Sequence, residues 1–393
     1  MKIPRVVWIL SIISLLTDMA SEMLYPVMPL YLKSIGFSVA FIGVLEGLAE
    51  AVAGLSKGYF GKWSDVSGRR VPFVQLGYAL SALSKPMMAL MVHPAWIFSA
   101  RSLDRLGKGL RTGARDALLS AEATSATKGA IFGFHRSMDT LGAVFGPAVA
   151  LWFLYRYPGA YSALFYGAFL PGFAAIWASL LLTQKEDGQM AGVRRSVSFW
   201  QFGAYWKQSP VAYQKLVMGL LAFALINSSD VFLLLKVREL GFSDTAVVGV
   251  YIFYNLVYAA LAFRMGMLGD RIGLKTVFIL GLLVFSVVYG GMALMRNAYL
   301  VMALFLLYGV YAAATEGVAK AWITNVVAPE DTATAIGTFA GLQSICALMA
   351  SSLTGLVWYV WGGSVAFAFT AGFTLVIAGY MGIVVPKPAS MNG

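Results

Sequence analysis

The chain has 393 residues, of which 59% are hydrophobic and only 12% charged, with a mean hydropathy of +0.75. That balance excludes a disordered chain, a disulfide scaffold (Cys346 is the single cysteine) and an ordinary soluble enzyme, whose charged fraction is about a quarter. The net charge of +11 would point to nucleic acid in a soluble protein, but in a chain whose solvent is lipid it reads first as basic residues gathered in cytoplasmic loops.

The hydropathy pattern predicts twelve membrane-spanning helices, each a run of roughly twenty residues, enough to cross about 30 Å of hydrocarbon. They lie at 6–31, 40–60, 71–92, 94–118, 130–155 and 162–182, then at 216–237, 244–265, 276–295, 298–325, 334–357 and 364–384. A membrane barrel would alternate in segments of about ten residues, and these runs are too long and too uniformly apolar for that. At the start of the chain, Lys2 and Arg5, the apolar residues 6–16 and the polar Thr17 to Ser21 have the outline of a cleavable signal peptide. The apolar run resumes beyond Glu22 and reaches Tyr31, which favours a retained first span.

Residues 183–215 mix Lys185, Arg194, Arg195, Lys207 and Lys215 with Phe199, Trp200, Phe202, Tyr205 and Trp206. That mixture suits a short amphipathic helix on the cytoplasmic membrane surface, and equally a linker between two halves. The expected organisation is therefore a six-helix bundle over 1–182, a linker over 183–215 and a second bundle over 216–393. With both termini inside, the inner loops and ends carry 15 basic residues, and the outer loops carry five: Lys33, Arg156, Lys236, Arg238 and Arg296. This bias orients a multi-pass inner (plasma) membrane protein with both termini cytoplasmic.

Two segments repeat at an offset of 205 residues. Gly36-Phe37-Ser38 recurs as Gly241-Phe242-Ser243, and the loop from Gly61 through Asp65, Gly68 and Arg69 to Arg70 recurs from Gly266 through Asp270, Arg271 and Gly273 to Lys275. Each loop copy follows the second span of its half. Duplicated halves are the mark of a transporter whose substrate lies between repeats. The glycines permit tight turns, and Asp65 can accept from a helix N-terminus or pair with Arg69 and Arg70, a contact able to hold one conformational state.

These loops resemble the loop signature of the major facilitator superfamily, present here in both halves. Pro26-Val27-Met28-Pro29 resembles the Pro-Val-x-Pro element of its twelve-helix drug:proton antiporters, and Arg101 stands where that branch carries an intramembrane arginine. Gly142 to Pro147 resembles the start of the antiporter motif, but Ala148-Val149-Ala150 follows where a glycine pair is expected. The resemblance implies an all-α membrane fold of two six-helix bundles, related by a pseudo-two-fold repeat around a central cavity, with alternating access. It also implies proton-coupled antiport, and spans 1, 2, 4 and 5 lining the first half's side of the cavity.

Charges inside spans cost about 2.5–3.5 kcal/mol each on insertion scales, so they should face the protein interior and be paired. The fourth span places Arg101, Asp104, Arg105, Lys108, Arg111, Arg115 and Asp116 within an arc of roughly 140°. Acidic partners exist at Asp18 and Glu22, at Glu46 and Glu50, and at Asp139 beside His135 and Arg136. The second half offers Asn227, Asp230, Asn255, Glu316 and Lys320, the last two 205 residues beyond Arg111 and Arg115.

Arg101, Arg105 and Lys108, with Tyr25, Asn227, Tyr251 and Asn255, are the candidate substrate contacts, arginine suiting a bidentate carboxylate or phosphate. Asp18, Glu22, Glu46, Glu50, Asp104, His135, Arg136, Asp139, Asp230, Glu316 and Lys320 form the candidate charge network, with Glu22, Asp18 and Asp139 as proton carriers. The competing reading is a network that only holds helices together, with His135 a satisfied structural group. Tyr251, Tyr254 and Tyr258 share a face that either lines a site or simply packs.

The sequence has no P-loop, no metal-ligand spacing and no nucleophilic triad, so no cofactor, metal or nucleic-acid partner is expected. The leading expectation is a monomeric secondary transporter that exports a small organic molecule in exchange for protons. The runner-up is uptake or exchange of an organic anion, such as a phosphorylated metabolite or a siderophore-like carboxylate. An intramembrane acid–base enzyme is the alternative of a different class, and the tandem repeat argues against it. With Lys236, Asp244 and Arg264 at the span ends counted among the loops, nine basic and nine acidic residues lie inside the spans, so the whole +11 resides in loops and ends.

Overall fold

The computed structural model describes residues 2–25, 27–37, 39–183, 201–295 and 297–386, and every regular element among them is a helix. The first half holds α1 (Arg5–Glu22), α2 (Met28–Ser34), α3 (Val39–Ser67), α4 (Val71–Leu90), α5 (Pro94–Ala121), α6 (Lys128–Arg156) and α7 (Tyr161–Ser179). After α8 (Gln201–Gln208) come α9 (Val211–Ala224), α10 (Val231–Glu239), α11 (Asp244–Ile272), α12 (Leu274–Leu294), α13 (Ala298–Asn325), α14 (Thr332–Trp361) and α15 (Gly363–Ile383). Taken as continuations of one another, α1 with α2 and α9 with α10 each make one crossing. With α8 in the linker, the fifteen helices give twelve crossings in two six-helix halves. Seven of them are long and apolar enough to span by composition alone. α5 is not among these, because its 28 residues include the charged face.

The first and seventh runs are not the continuous helices that hydropathy suggests. Near the end of α1 the bonds tighten, with Leu24 N–H donating to Ser21 O and Val27 N–H to Leu24 O. Pro26 has no N–H to offer and disfavours helical geometry in the residue before it. In the second half the break falls on Asn227, Ser228, Ser229 and Asp230, residue types whose side chains compete for backbone groups. There the Val231 N–H donates to Ser229 Oγ (3.3 Å) and the Ser229 N–H to Ser351 Oγ (3.2 Å). The breaks correspond in the repeat, since Glu22 and Asn227 are 205 residues apart.

The second and eighth spans run past their predicted ends, into the repeated loop motif. They stop at Ser67 and Ile272, where Gly68 (φ +63°) and Gly273 (φ +98°) take left-handed conformations that glycine adopts without strain.

The chain divides into two compact units. Unit 1 comprises Met1–Glu122, Met138–Gln208 and Pro329–Ser344, and unit 2 comprises Ala123–Ser137, Ser209–Ala328 and Ile345–Gly393. The opening turns of α14 thus belong to unit 1, and those of α6 to unit 2. In unit 1, α5 packs on α3 and α4, and α7 packs on α1 and α4. α2 closes a buried cluster of Met23, Leu24, Met28, Tyr31, Met88 and Phe165. In unit 2, α12 packs on α13 and α15, α11 packs on α13, and Phe223, Phe285, Tyr289, Trp322 and Phe367 fill the core.

Candidate functional site

The repeated loop motif builds the same contact once in each unit. In unit 1, Asp65 Oδ2 accepts from the Thr334 N–H and the Thr334 hydroxyl (both 2.7 Å), and Oδ1 from the Ala333 N–H (3.4 Å). Arg70 Nη2 lies 3.3 Å from Asp65 Oδ1 and donates to the Pro329 carbonyl (3.0 Å). In unit 2, the two oxygens of Asp270 accept from the Gly129 and Ala130 N–H groups at 2.8 and 2.7 Å. Each carboxylate therefore sits on the opening turn of a helix, α14 or α6, where free amides and the helix dipole favour negative charge.

Gly61 and Gly266 permit the approach, because a Cβ at either would overlap a backbone carbonyl, of Ala333 and Gly129 respectively. Lys275 Nζ closes onto the Gly382 and Val385 carbonyls (2.8 and 2.6 Å), while Arg69 and Arg271 are exposed. α8 packs on α3 and buries Tyr205 nearby. Burial first, and the Asp331 and Asp65 carboxylates second, push its phenol up.

The charged face of α5 resolves into separate groups. One is a fully buried knot against α4, in which Asp104 Oδ1 accepts from Lys85 Nζ (2.8 Å) and Ser81 Oγ (2.6 Å), with Arg101 Nη1 3.8 Å from Oδ2. Sequence reasoning gave Lys85 no role. Its signal was a lone lysine inside the otherwise apolar third run. A second knot joins Arg115 to Asp116 (2.9 Å) and to Ser14 Oγ (3.4 Å), and Ser14 in turn donates to Asp139. Arg111 lies over the Tyr78 ring, 4.6 Å from its centroid.

Between the knots, Asp18 shares its electrostatic surroundings with Asp139, Lys108, Glu22 and Arg111. Asp18, Glu22 and Arg105 are half-buried, Lys108 is exposed, and Tyr25 is exposed too. Glu46 and Glu50 fall in α3, and their side chains lie outside the described residues, as does Pro26.

Unit 2 holds a second polar set. Asp230 accepts from the Tyr254 hydroxyl, and Asn227 Nδ2 donates to Tyr311 Oη (3.0 Å). Asn255 turns back to the Tyr251 carbonyl of its own helix (3.0 Å). Arg136 Nε donates to Tyr258 Oη, and its Nη2 lies 3.5 Å from Glu316 Oε2. Lys320 is half-buried one turn beyond Glu316, and His135 is buried. Tyr254 meets Tyr308 edge to face (centroids 5.1 Å apart) and Tyr308 meets Tyr311 at a tilt (5.4 Å), and all three are 4–7% exposed. They fill space rather than line an opening. His135, Arg136 and Asp139 lie on one helix, α6, as expected. The structure assigns the first two to unit 2 and Asp139 to unit 1.

Twelve crossings in two repeats, a duplicated carboxylate cap and balanced charge inside the spans define a carrier of the secondary-transporter class, not an enzyme. Sequence comparison agrees. The family model described as Major Facilitator Superfamily matches residues 10–254 and 232–392. The chain is 31% identical over 386 residues to an uncharacterized MFS-type transporter of Methanocaldococcus jannaschii, covering 96% of this chain and 93% of the relative. It is 26% identical over 353 residues to an uncharacterized protein of Mycobacterium tuberculosis, covering 86% and 82%.

Among solved structures, the human organic anion transporter MFSD10 (TETRAN) superposes with a TM-score of 0.78 at 16% identity, covering 97% of this chain and all of that one. The proton:xylose symporter XylE bound to 6-bromo-6-deoxy-D-glucose gives 0.75 at 13% identity, covering 97% and 95%. The chain belongs to the Major Facilitator Superfamily, and it is a multi-pass membrane transporter of small molecules.

Proposed function

We propose that the protein exchanges a small organic anion for protons across the inner membrane by alternating access, working as a monomer in the export direction. One observation carries this reading: Asp18, on α1, shares its electrostatic surroundings with the α5 cations Lys108 and Arg111 and with the carboxylates Glu22 and Asp139. A solute anion neutralised by Arg105 and Lys108 competes with those carboxylates for the same cations, so solute and carboxylates hold them in turn; export in exchange for protons draws on the antiporter-like elements Pro26-Val27-Met28-Pro29 and Gly142 to Pro147. The fold neighbours handle a sugar and organic anions, so fold leaves the solute open and the buried charges argue for it. Asp65 and Asp270, with the glycines and basic residues around them, act as latches that favour one state of the cycle.

In proteoliposomes, Glu22→Gln and Asp139→Asn are expected to abolish pH-gradient-driven movement, while Arg105→Ala and Lys108→Ala raise the solute concentration needed for half-maximal transport. Intact pH-driven transport in both carboxylate variants defeats the proton role, and unchanged affinity in both cation variants defeats the anion role. A second reading, uptake or exchange of an organic anion, draws on the richness of the α5 basic face. Solute accumulation on the more alkaline side, rather than the acidic side, decides in its favour.

A further inference from the structure

Arg136 and Glu316 form a partly exposed ion pair in unit 2. Arg136 is eight residues into α6 from Lys128, and Glu316 is nine residues from the end of α13 at Asn325. At 1.5 Å per residue both lie roughly 12–14 Å from those helix ends, inside the spans expected at 130–155 and 298–325. Their side chains are 31% and 40% exposed. Charged groups at that depth do not face lipid, so the open surface faces water. The separation of 3.5 Å is long against about 2.7–2.9 Å for a closed charge-assisted bond.

The guanidinium itself is well fixed. Nε donates to Tyr258 Oη, and the Tyr258 ring lies 5.5 Å beneath it. Tyr258 is only 5% exposed, so its position is set by packing. A fixed guanidinium that is partly open to water beside a half-exposed carboxylate is an arrangement that can receive a carboxylate from outside. The planar fork fits a carboxylate through two parallel bonds, which a lysine in the same place does not provide. Lys320, one turn beyond Glu316 on α13, adds a second cation to that face.

We infer that Arg136 is a carboxylate-recognition residue of unit 2, that Tyr258 positions it, and that Glu316 is a built-in competitor displaced by the carboxylate of an organic solute. This deepens the proposed function and rests on its reading of the solute as an organic anion. It adds a recognition site distinct from the cations of α5.

The test uses the purified full-length protein and calorimetric titration with benzoate, succinate and citrate, each paired with its amide. At least one carboxylate is expected to bind and its amide not to. Arg136→Gln weakens that binding more than about tenfold. Glu316→Gln removes the competitor and tightens it about two- to fivefold. Arg136→Lys keeps the charge and still loses affinity. Tyr258→Phe, which leaves both charges in place, weakens binding and serves where the arginine variants fail to fold.

Absence of binding by all three carboxylates overturns the inference, as does Glu316→Gln binding no tighter than wild type. Unchanged affinity in Arg136→Gln overturns it too, and if pH-driven transport persists in that variant the transport reading stands without it. If wild type shows no pH-driven transport yet the binding changes follow as stated, the recognition site stands and the coupling reading falls.

Discussion

Replacing Asp65 by alanine removes the acceptor for the opening turn of α14. Three bonds end on this carboxylate, from the Thr334 N–H, the Thr334 hydroxyl and the Ala333 N–H, and Arg70 pairs with it. The group is 8% exposed, so water does not readily replace it. Bonds to a charged acceptor contribute about 1.5–3 kcal/mol each, a capping side chain alone about 1–2, and these are not additive. The expected loss is about 2–4 kcal/mol for opening of this turn, roughly a 30- to 900-fold rise in its open population. Amide exchange read by mass spectrometry on the peptide holding Ala333 and Thr334 measures this directly. Asp65→Ala should speed exchange there by that factor while peptides of α12, in unit 2, keep their protection. Asp65→Asn, which retains one acceptor oxygen, should fall between. Unchanged exchange at Thr334 in Asp65→Ala would refute the argument that this carboxylate holds the helix start.

The repeat carries the same expectation to unit 2, where Asp270→Ala should deprotect Gly129 and Ala130 but leave Thr334 as in wild type. Lys85→Ala leaves the buried Asp104 carboxylate with only Ser81 and the 3.8 Å Arg101 contact and should cost up to about 3–5 kcal/mol in a detergent melt, whereas Lys85→Met with Asp104→Leu, which leaves Arg101 without that acid, should recover part of the loss. Recovery no better than the single variant would show the pair to be more than a packing device. Gly266→Leu forces a side chain into the Gly129 carbonyl, so folded yield should hold while solute flux in proteoliposomes collapses; normal flux counts against the close approach. Tyr254→Phe leaves Asp230 without its phenol donor and should lower the melting midpoint, by about 1–3 kcal/mol in stability, with Asp230→Leu on top partly restoring it.

The twelve crossings and the duplicated halves were legible because lipid imposes apolar runs of fixed length, and because a loop of ten residues repeats in register. What hydropathy missed has a common cause. An average over twenty residues does not see the bonds tighten at Leu24 and Val27, which are as apolar as any helix interior, nor the four polar residues Asn227 to Asp230 inside an otherwise apolar run. The partition of the α5 face was also out of reach. Spacing puts seven charges on one arc, yet which of them meets Lys85 and which meets Ser14 depends on how α4 and α1 pack against it. Arg136 shows the same limit in another form. Adjacent to His135 and three residues from Asp139 in sequence, it pairs with Glu316 on α13, 180 residues away.

The seams at Gly61 and Gly266 differ from an ordinary helix interface in kinetics as well as in distance. Side chains that interdigitate must change rotamer, one after another, before two helices separate, and each such step adds friction. Where backbone lies directly against backbone there are no knobs to withdraw. Resistance to parting is then concentrated in a few polar bonds to one carboxylate, which break together and re-form without a search. Such a surface behaves like a magnetic catch rather than a zipper, with a sharp threshold and a short range.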